Sequence, residues 1–290
     1  MINGKLLSAL QSNPEDHHVI IEPPSGWRFL DLKEILRYRD LFRFLVYRAI
    51  RTRYAQSALG ISWAIIQPLA TMLVFTIIFG RIVQVKSDGA PYALFSFVAL
   101  VPWTYFQDAL ADGVQCLIAE QNMISKIYFP RVILPLSRIL ARFVDFIIAT
   151  VILFGLLLLY RQAPGPGVLL LPFFILIIML TSGGLALWLG AMAVQYRDIA
   201  YGMNFLVRLL MYAAPVVYPA SAVKAHFPDY YLLYGLNPMV GVIEGFRSAL
   251  LGTIPMPWEF ILPGAAMSLA VFLFGALYFR RKERVFADVV

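Results

Sequence analysis

Six long apolar stretches occupy most of this chain, at roughly 60–80, 93–114, 139–160, 168–193, 201–219 and 260–279. A helix needs about 20 mostly apolar residues to cross the hydrocarbon core of a bilayer, so each stretch reads as a span. An even number of spans puts both ends of the chain on one side. Composition agrees: 60% of residues are hydrophobic and 14% charged, against about 25% charged in an average soluble domain. The expected fold is all-α, a polytopic membrane protein with six transmembrane helices. The pattern argues against a soluble enzyme.

The basic residues say which side is which. Of the 24 Lys and Arg residues, nine lie before or at Arg53, and others follow at Lys126, Arg131, Arg138, Arg142, Arg197 and Arg208. Four more, Arg280, Arg281, Lys282 and Arg284, close the last span. Together these 19 fall on alternate connections and the two ends; the opposite side holds Arg81, Lys86, Arg161, Lys224 and Arg247. Cytoplasmic connections carry the excess of Lys and Arg, so the termini are expected inside. Topology thus accounts for the net charge of +7, and no nucleic-acid partner is implied. Cys116 is alone, which excludes an internal disulfide. The first 30 residues lack a short apolar core before a small-residue cleavage site, so insertion is expected to rely on the spans.

Residues 1–30 read as an irregular cytoplasmic arm broken by Pro23-Pro24-Ser25-Gly26. Residues 31–54 differ: Leu32, Ile35, Leu36, Phe42, Leu45, Val46, Ala49 and Ile50 recur at helical spacing, interleaved with Arg37, Arg43, Arg48, Arg51 and Arg53. Too charged to span, this segment is expected to lie in the membrane interface, its arginines reaching the headgroups. A solvated helix packed on a partner is the other reading. Between spans two and three, about 118–131, a short amphipathic helix is expected to stop at Pro130. Between spans five and six, Pro238 to Leu251 is apolar yet, at about 14 residues, too short to cross. Short re-entrant or interfacial helices are expected there, on the outer side, over about 222–251, because broken backbone at membrane depth is tolerated where protein or a cavity covers it.

Chemistry-bearing motifs are few. The histidines are His17, His18 and His226, there is no Cys pair, and no G-x-x-x-x-G-K-[ST] phosphate loop occurs. No metal or nucleophile constellation is expected, and ATP is not held by this chain in the usual way. Asp108 and Asp112 lie four apart on one helix face. They read as a proton relay or, in the absence of matching acids on other spans, as wet or arginine-paired groups. Arg142 with Asp145, and Glu244 with Arg247, are spaced for structural pairs. Gly241 and Gly245, and Ala186 and Gly190, are spaced for close helix contacts. Trp63, Trp103, Tyr105, Phe106, Trp188, Tyr212 and Tyr218 lie in or beside spans. They read as interfacial anchors or as a stacking surface for sugar rings.

The order of parts carries a resemblance. Arg53-Tyr54 leads into Leu59-Gly60-Ile61-Ser62-Trp63-Ala64-Ile65-Ile66-Gln67-Pro68. Lys126-Ile127-Tyr128-Phe129-Pro130-Arg131 sits in the inner connection, and Gln195-Tyr196-Arg197-Asp198-Ile199 ends the fourth span. Leu236-Asn237-Pro238-Met239 and Glu244-Gly245-Phe246-Arg247 follow outside, and Glu283-Arg284-Val285-Phe286-Ala287-Asp288 lies in the tail. Over about residues 20–290 the chain resembles the permease subunit of polysaccharide-exporting ABC transporters, the type-2 exporters of O-antigen, capsule or teichoic acid.

The resemblance implies an inner-membrane homodimer served by two copies of a separate ATPase, which binds ATP and Mg; no cofactor is expected in this chain. It implies a coupling helix in the inner connection, with Glu120, Lys126, Tyr128 and Arg131 as its contacts. The basic helix 31–54 becomes a gate for a glycan on undecaprenyl diphosphate, received by Arg43, Arg48, Arg51 and Arg53. Trp63, Gln67, Tyr212 and Tyr218 become the glycan conduit, and Asn237, Glu244 and Arg247 part of a periplasmic gate. Two other readings are an ABC exporter of a lipid or small drug, and a multi-pass membrane glycosyltransferase. The latter needs organised loop carboxylates, and Asp88, Asp229, Glu244 and Glu259 show no such pattern.

Overall fold

The computed structural model describes residues 32–55, 60–283 and 286; the N-terminal arm, residues 1–30, and Leu59 of the Arg53–Pro68 stretch lie outside them. The described residues form helices and connecting turns. Helices α1 (Leu32–Arg37) and α2 (Arg39–Tyr54) are followed by α3 (Gly60–Ile82), α4 (Tyr92–Ala119) and the single turn α5 (Gln121–Ile124). Then come α6 (Ile133–Leu159), α7 (Pro166–Gln195) and α8 (Arg197–Ala213). A group of shorter helices, α9 (Ala220–His226), α10 (Tyr231–Tyr234) and α11 (Pro238–Leu251), precedes α12 (Trp258–Lys282).

Among the described residues, four helices are long and apolar enough to cross a membrane: α3, α6, α7 and α12. The expected second and fifth spans take other forms. α4 has 28 residues and extends past the expected end at 114. Its acids at 108 and 112 do not end the helix, because they are matched by arginines. α8 has 17 residues and stops at Ala213, short of 219. Pro215 disfavours a helical conformation for Ala214, which is extended, and the carbonyls of Val216 and Tyr218 bond to a side chain instead of a helix. The basic segment 31–54 is broken at Tyr38, whose backbone (φ −95°, ψ 22°) leaves the helical region. The inner connection is helical for only four residues, not over 118–131. Residues 118 and 119 belong to α4, and Pro130 disfavours helical backbone at Phe129.

Lipid offers no hydrophobic drive between helices, so close van der Waals contact has to hold them. Small residues permit it here. α4 crosses α7 at Gly113, where an added Cβ would lie 2.6 Å from the Cβ of Ala186. α7 crosses α12 at Gly184 and Gly275, where a Cβ on Gly275 would lie 2.1 Å from the Gly184 carbonyl oxygen. Gly241 abuts the Phe260 backbone and Gly245 the Phe174 ring, both at 2.6 Å from an added Cβ. Both small-residue spacings noted in the sequence therefore mark real helix contacts. Side chains such as Val151, Leu158 and Leu169 are 66–86% exposed, as a lipid-facing surface requires.

α11 is enclosed. Every residue from Met239 to Leu251 is buried, packed against α4, α7 and α12. Its ends are specified locally: Asn237 accepts from the Met239 N–H at 3.1 Å, Pro238 takes the first turn, and Gly252 closes the helix at φ +64°.

Replacing Gly275 by Ala should lower stability in detergent by about 1–3 kcal/mol, the usual effect of overpacking. Gly155→Ala, where an added Cβ meets nothing within 4 Å, should be neutral or gain up to about 1 kcal/mol of helix propensity. Thermal unfolding of the two variants side by side reads the difference.

Candidate functional site

At the basic end of the bundle, charged side chains from three helices converge. The last turn of α2 places the Arg53 guanidinium between two acids, donating to Asp145 of α6 and to Asp112 of α4, each at 2.8 Å. Arg142 donates to both oxygens of Asp112, at 2.6 and 3.0 Å, to Asp108 at 2.9 Å and to Asp145 at 3.4 Å. The Tyr54 hydroxyl donates to Asp145. Helical spacing makes this possible: positions 108 and 112 share one face of α4, and 142 and 145 one face of α6. These side chains are 19–33% exposed, so their attraction is screened less than that of a surface pair. Burial and the neighbouring Arg142 push the Arg53 guanidinium below its ordinary pKa, against the opposing pull of Asp145, Asp112 and Asp108. A guanidinium nonetheless stays charged in proteins. The cluster matches the arginine-paired reading of Asp108 and Asp112.

A cavity of about 280 Å³ opens beside this cluster, lined by Arg53, Tyr54, Arg142 and Asp145 on one side and by Trp63, Gln67, Thr71, Thr104 and Tyr105 on the other. It brings together residues expected in two separate roles. Arg53 belonged to the diphosphate group, Trp63 and Gln67 to the conduit. Tyr212 and Tyr218 are elsewhere. The Tyr218 hydroxyl donates to the Tyr212 carbonyl at 2.8 Å and lies 3.3 Å from the Tyr234 hydroxyl, while the Tyr212 ring is exposed.

Two further junctions fasten the same end. Glu120, just past α4, accepts from Arg48 of α2 and from Arg138 of α6, the latter at 2.6 Å. Glu283 accepts from the Arg131 backbone N–H at 2.7 Å and pairs with Arg280 at 3.1 Å, and Arg280 reaches Glu34 of α1 at 3.4 Å. Burial pushes the Glu283 carboxyl above its ordinary pKa, against the Arg131 N–H and Arg280. The Arg131 side chain donates to the Glu283 carbonyl and lies over the Phe286 ring.

These junctions sort the expected residues. Among the four coupling residues, Lys126 and Tyr128 project, the tyrosine 70% exposed, whereas Glu120 and Arg131 are tied inward. Among the four arginines of the basic helix, Arg48 and Arg53 are matched by acids, Arg51 is exposed, and Arg43 stands 3.8 Å from Asp40 in a solvated pair. The tail junction has no signal in the sequence, where Glu283 stands only as the first residue of the tail stretch Glu283–Asp288.

At the opposite end, Arg247 and Glu244 of α11 form a pair at 2.8 Å, 1% and 3% exposed. Arg247 also donates to the carbonyls of Val216 at 3.0 Å and Tyr218 at 3.3 Å, and its guanidinium lies 3.5 Å from the centre of the Phe95 ring. Glu244 accepts from the Ala220 N–H at 3.0 Å. The pair thus supplies the partners that the non-helical backbone 214–220 needs when shut away from water. Asn237 serves as the helix cap described above.

A sequence model of the ABC-2 type transporter family matches residues 40–251. The O-antigen export system permease protein RfbA of Myxococcus xanthus is 27% identical over 259 residues, which is 89% of this chain and 98% of that protein. A protein of the same name from Klebsiella pneumoniae is 22% identical over 252 residues, 87% of this chain and 95% of its own. The polysialic acid transport protein KpsM of Escherichia coli is 26% identical over 214 residues, 71% of this chain and 80% of its own.

Arg247→Met should destabilise the protein by about 3–5 kcal/mol, because it strands a buried carboxylate. The double variant Glu244→Leu/Arg247→Met should lose less than the single one, since no buried charge is left alone. Denaturant unfolding of both in detergent checks the order.

Proposed function

The chain belongs to the ABC-2 type transporter family, and from that premise we propose that it is the membrane permease of an ABC transporter that exports a polysaccharide. The relatives named for O-antigen export are matched over nearly their whole length, which supports this cargo class over a lipid or small drug. The observation that carries the reading is the cavity at the basic end. It joins two guanidiniums, two carboxylates, four aromatic side chains and the polar groups of Gln67, Thr71 and Thr104. Guanidinium forks suit phosphate oxygens, and aromatic faces with polar rims suit sugars.

In this reading the chain crosses the inner membrane six times with both termini in the cytoplasm. α4 and α8 complete the set of spans, and α11 is re-entrant. α4 crosses with its acids neutralised, and α8 is continued by the buried segment 214–219. The permease works as a homodimer with two copies of a separate ATPase that binds ATP and Mg. Lys126, Ile127 and Tyr128 project from the inner turn as its contact. Because Glu120 and Arg131 tie that turn to α1, α2, α6 and the tail, a push on the tip moves the interfacial helix with it. The glycan arrives on an undecaprenyl diphosphate. Arg43 and Arg51 meet it first, and Arg53 and Arg142 become available when their carboxylates part.

The test is reconstitution of the permease with its ATPase in lipid vesicles, following ATP-dependent transfer of a lipid-linked glycan. Arg43→Glu/Arg51→Glu should cut transfer by about tenfold or more, as expected for lost charge-assisted bonds, with the complex still assembled. Lys126→Ala/Tyr128→Ala should uncouple transfer from ATP turnover. Transfer that proceeds without ATP, or a wild-type complex that moves no glycan, would contradict the reading.

A further inference from the structure

A second cavity, of about 510 Å³, lies at the opposite end and takes no part in the scheme above. Its size falls in the ordinary range of ligand pockets, about 300–1,000 Å³. Four separate pieces of chain build it, one of them α11 through Glu244. The turn before α4 contributes Asp88, helices α9 and α10 contribute Lys224 and Tyr231, and the start of α12 contributes Trp258 and Glu259.

These groups are held in place. Asp88 has φ +48°, a conformation few non-glycine residues adopt, and its carboxylate accepts from the Ser221 hydroxyl of α9 at 3.2 Å. The Tyr231 hydroxyl donates to Glu259 at 2.9 Å, and its ring meets the Phe260 ring edge-on at 4.7 Å with the Lys224 ammonium 5.1 Å from its centre. Trp258 is 46% exposed, so its ring is available to the cavity it lines.

The chemistry selects a ligand class. Asp88 and Glu259 each keep oxygen lone pairs beyond the bond they already accept, so both can take hydroxyl donors. Trp258 offers an apolar face, and Lys224 donates. Glu244 also lines the cavity but is already neutralised by Arg247, so two further carboxylates face one ammonium and an anion is disfavoured. An array of carboxylate acceptors around an aromatic platform fits a polyhydroxylated ring without charge.

We propose that this cavity binds an uncharged sugar residue, with Asp88 and Glu259 accepting its hydroxyls and Trp258 covering its apolar face. The inference rests on the glycan-export reading and narrows it: the sugar held at this end of the pathway is neutral, not a uronic or sialic acid.

The test uses the full chain in lipid nanodiscs and calorimetric titration with two oligosaccharides of equal length, one of neutral hexoses and one of uronic acids. The wild type should bind the hexose oligomer saturably and the acidic one about tenfold more weakly or worse, on the scale of one hydrogen bond to a charged group. Glu259→Gln should weaken hexose binding by about tenfold, and Trp258→Ala should weaken it at least as much. Leu169→Ala, at an exposed residue that lines neither cavity, should leave this binding unchanged. Equal affinity of Glu259→Gln, Trp258→Ala and wild type would overturn the site, as would preference for the acidic oligomer. No binding by a wild type that still transports glycan with its ATPase would overturn the site alone. No binding and no transport together would remove the export reading as well.

Discussion

Within a bilayer, a polar group without a partner is far more costly than one in water, and the partners must come from the protein. The described structure is organised around that demand. Asp108, Asp112, Asp145, Arg53 and Arg142 satisfy one another, so that α4 and α6 carry charge at depth. Glu244 and Arg247 do the same at the other end and also serve the irregular backbone between α8 and α9. Without these pairings, α4 and α6 would hold unmatched charge and the backbone of 214–219 would need water.

The two ends use the same chemistry to different effect. The outer pair is sealed, at 1% and 3% exposure, and an interaction shielded this completely has no competitor. The basic-end cluster is reached through a cavity and remains partly open. The two ends thus differ in access: one pair is sealed within the protein, and the other cluster lines a cavity.

Much of this was legible from residue order. Apolar run length marks α3, α6, α7 and α12, and i,i+3 or i,i+4 spacing marks the Arg142–Asp145 and Glu244–Arg247 pairs. What spacing cannot supply is the meeting of distant segments. Arg53 looked like a free cation for a headgroup because Asp112 and Asp145 lie 59 and 92 residues away. Glu120 and Arg131 looked like projecting contacts because their partners sit on α2, α6 and the tail. Helix ends were misjudged where a non-local side chain replaced the local bond, as Arg247 does for Val216 and Tyr218. The amphipathic pattern of 118–131 spoke for a helix, but it reflected an alternation of inward anchors and outward tips in a turn.

One wall of the inner cavity differs from the rest. Among the described residues, Pro68 is the one buried residue of α3, whereas α4 on the facing wall is buried along most of its length. Detaching α3 would sacrifice little interlocked surface, while detaching α4 would dismantle the core. The cavity therefore has one lightly anchored flank, and a shift of α3 would widen it with the core left intact.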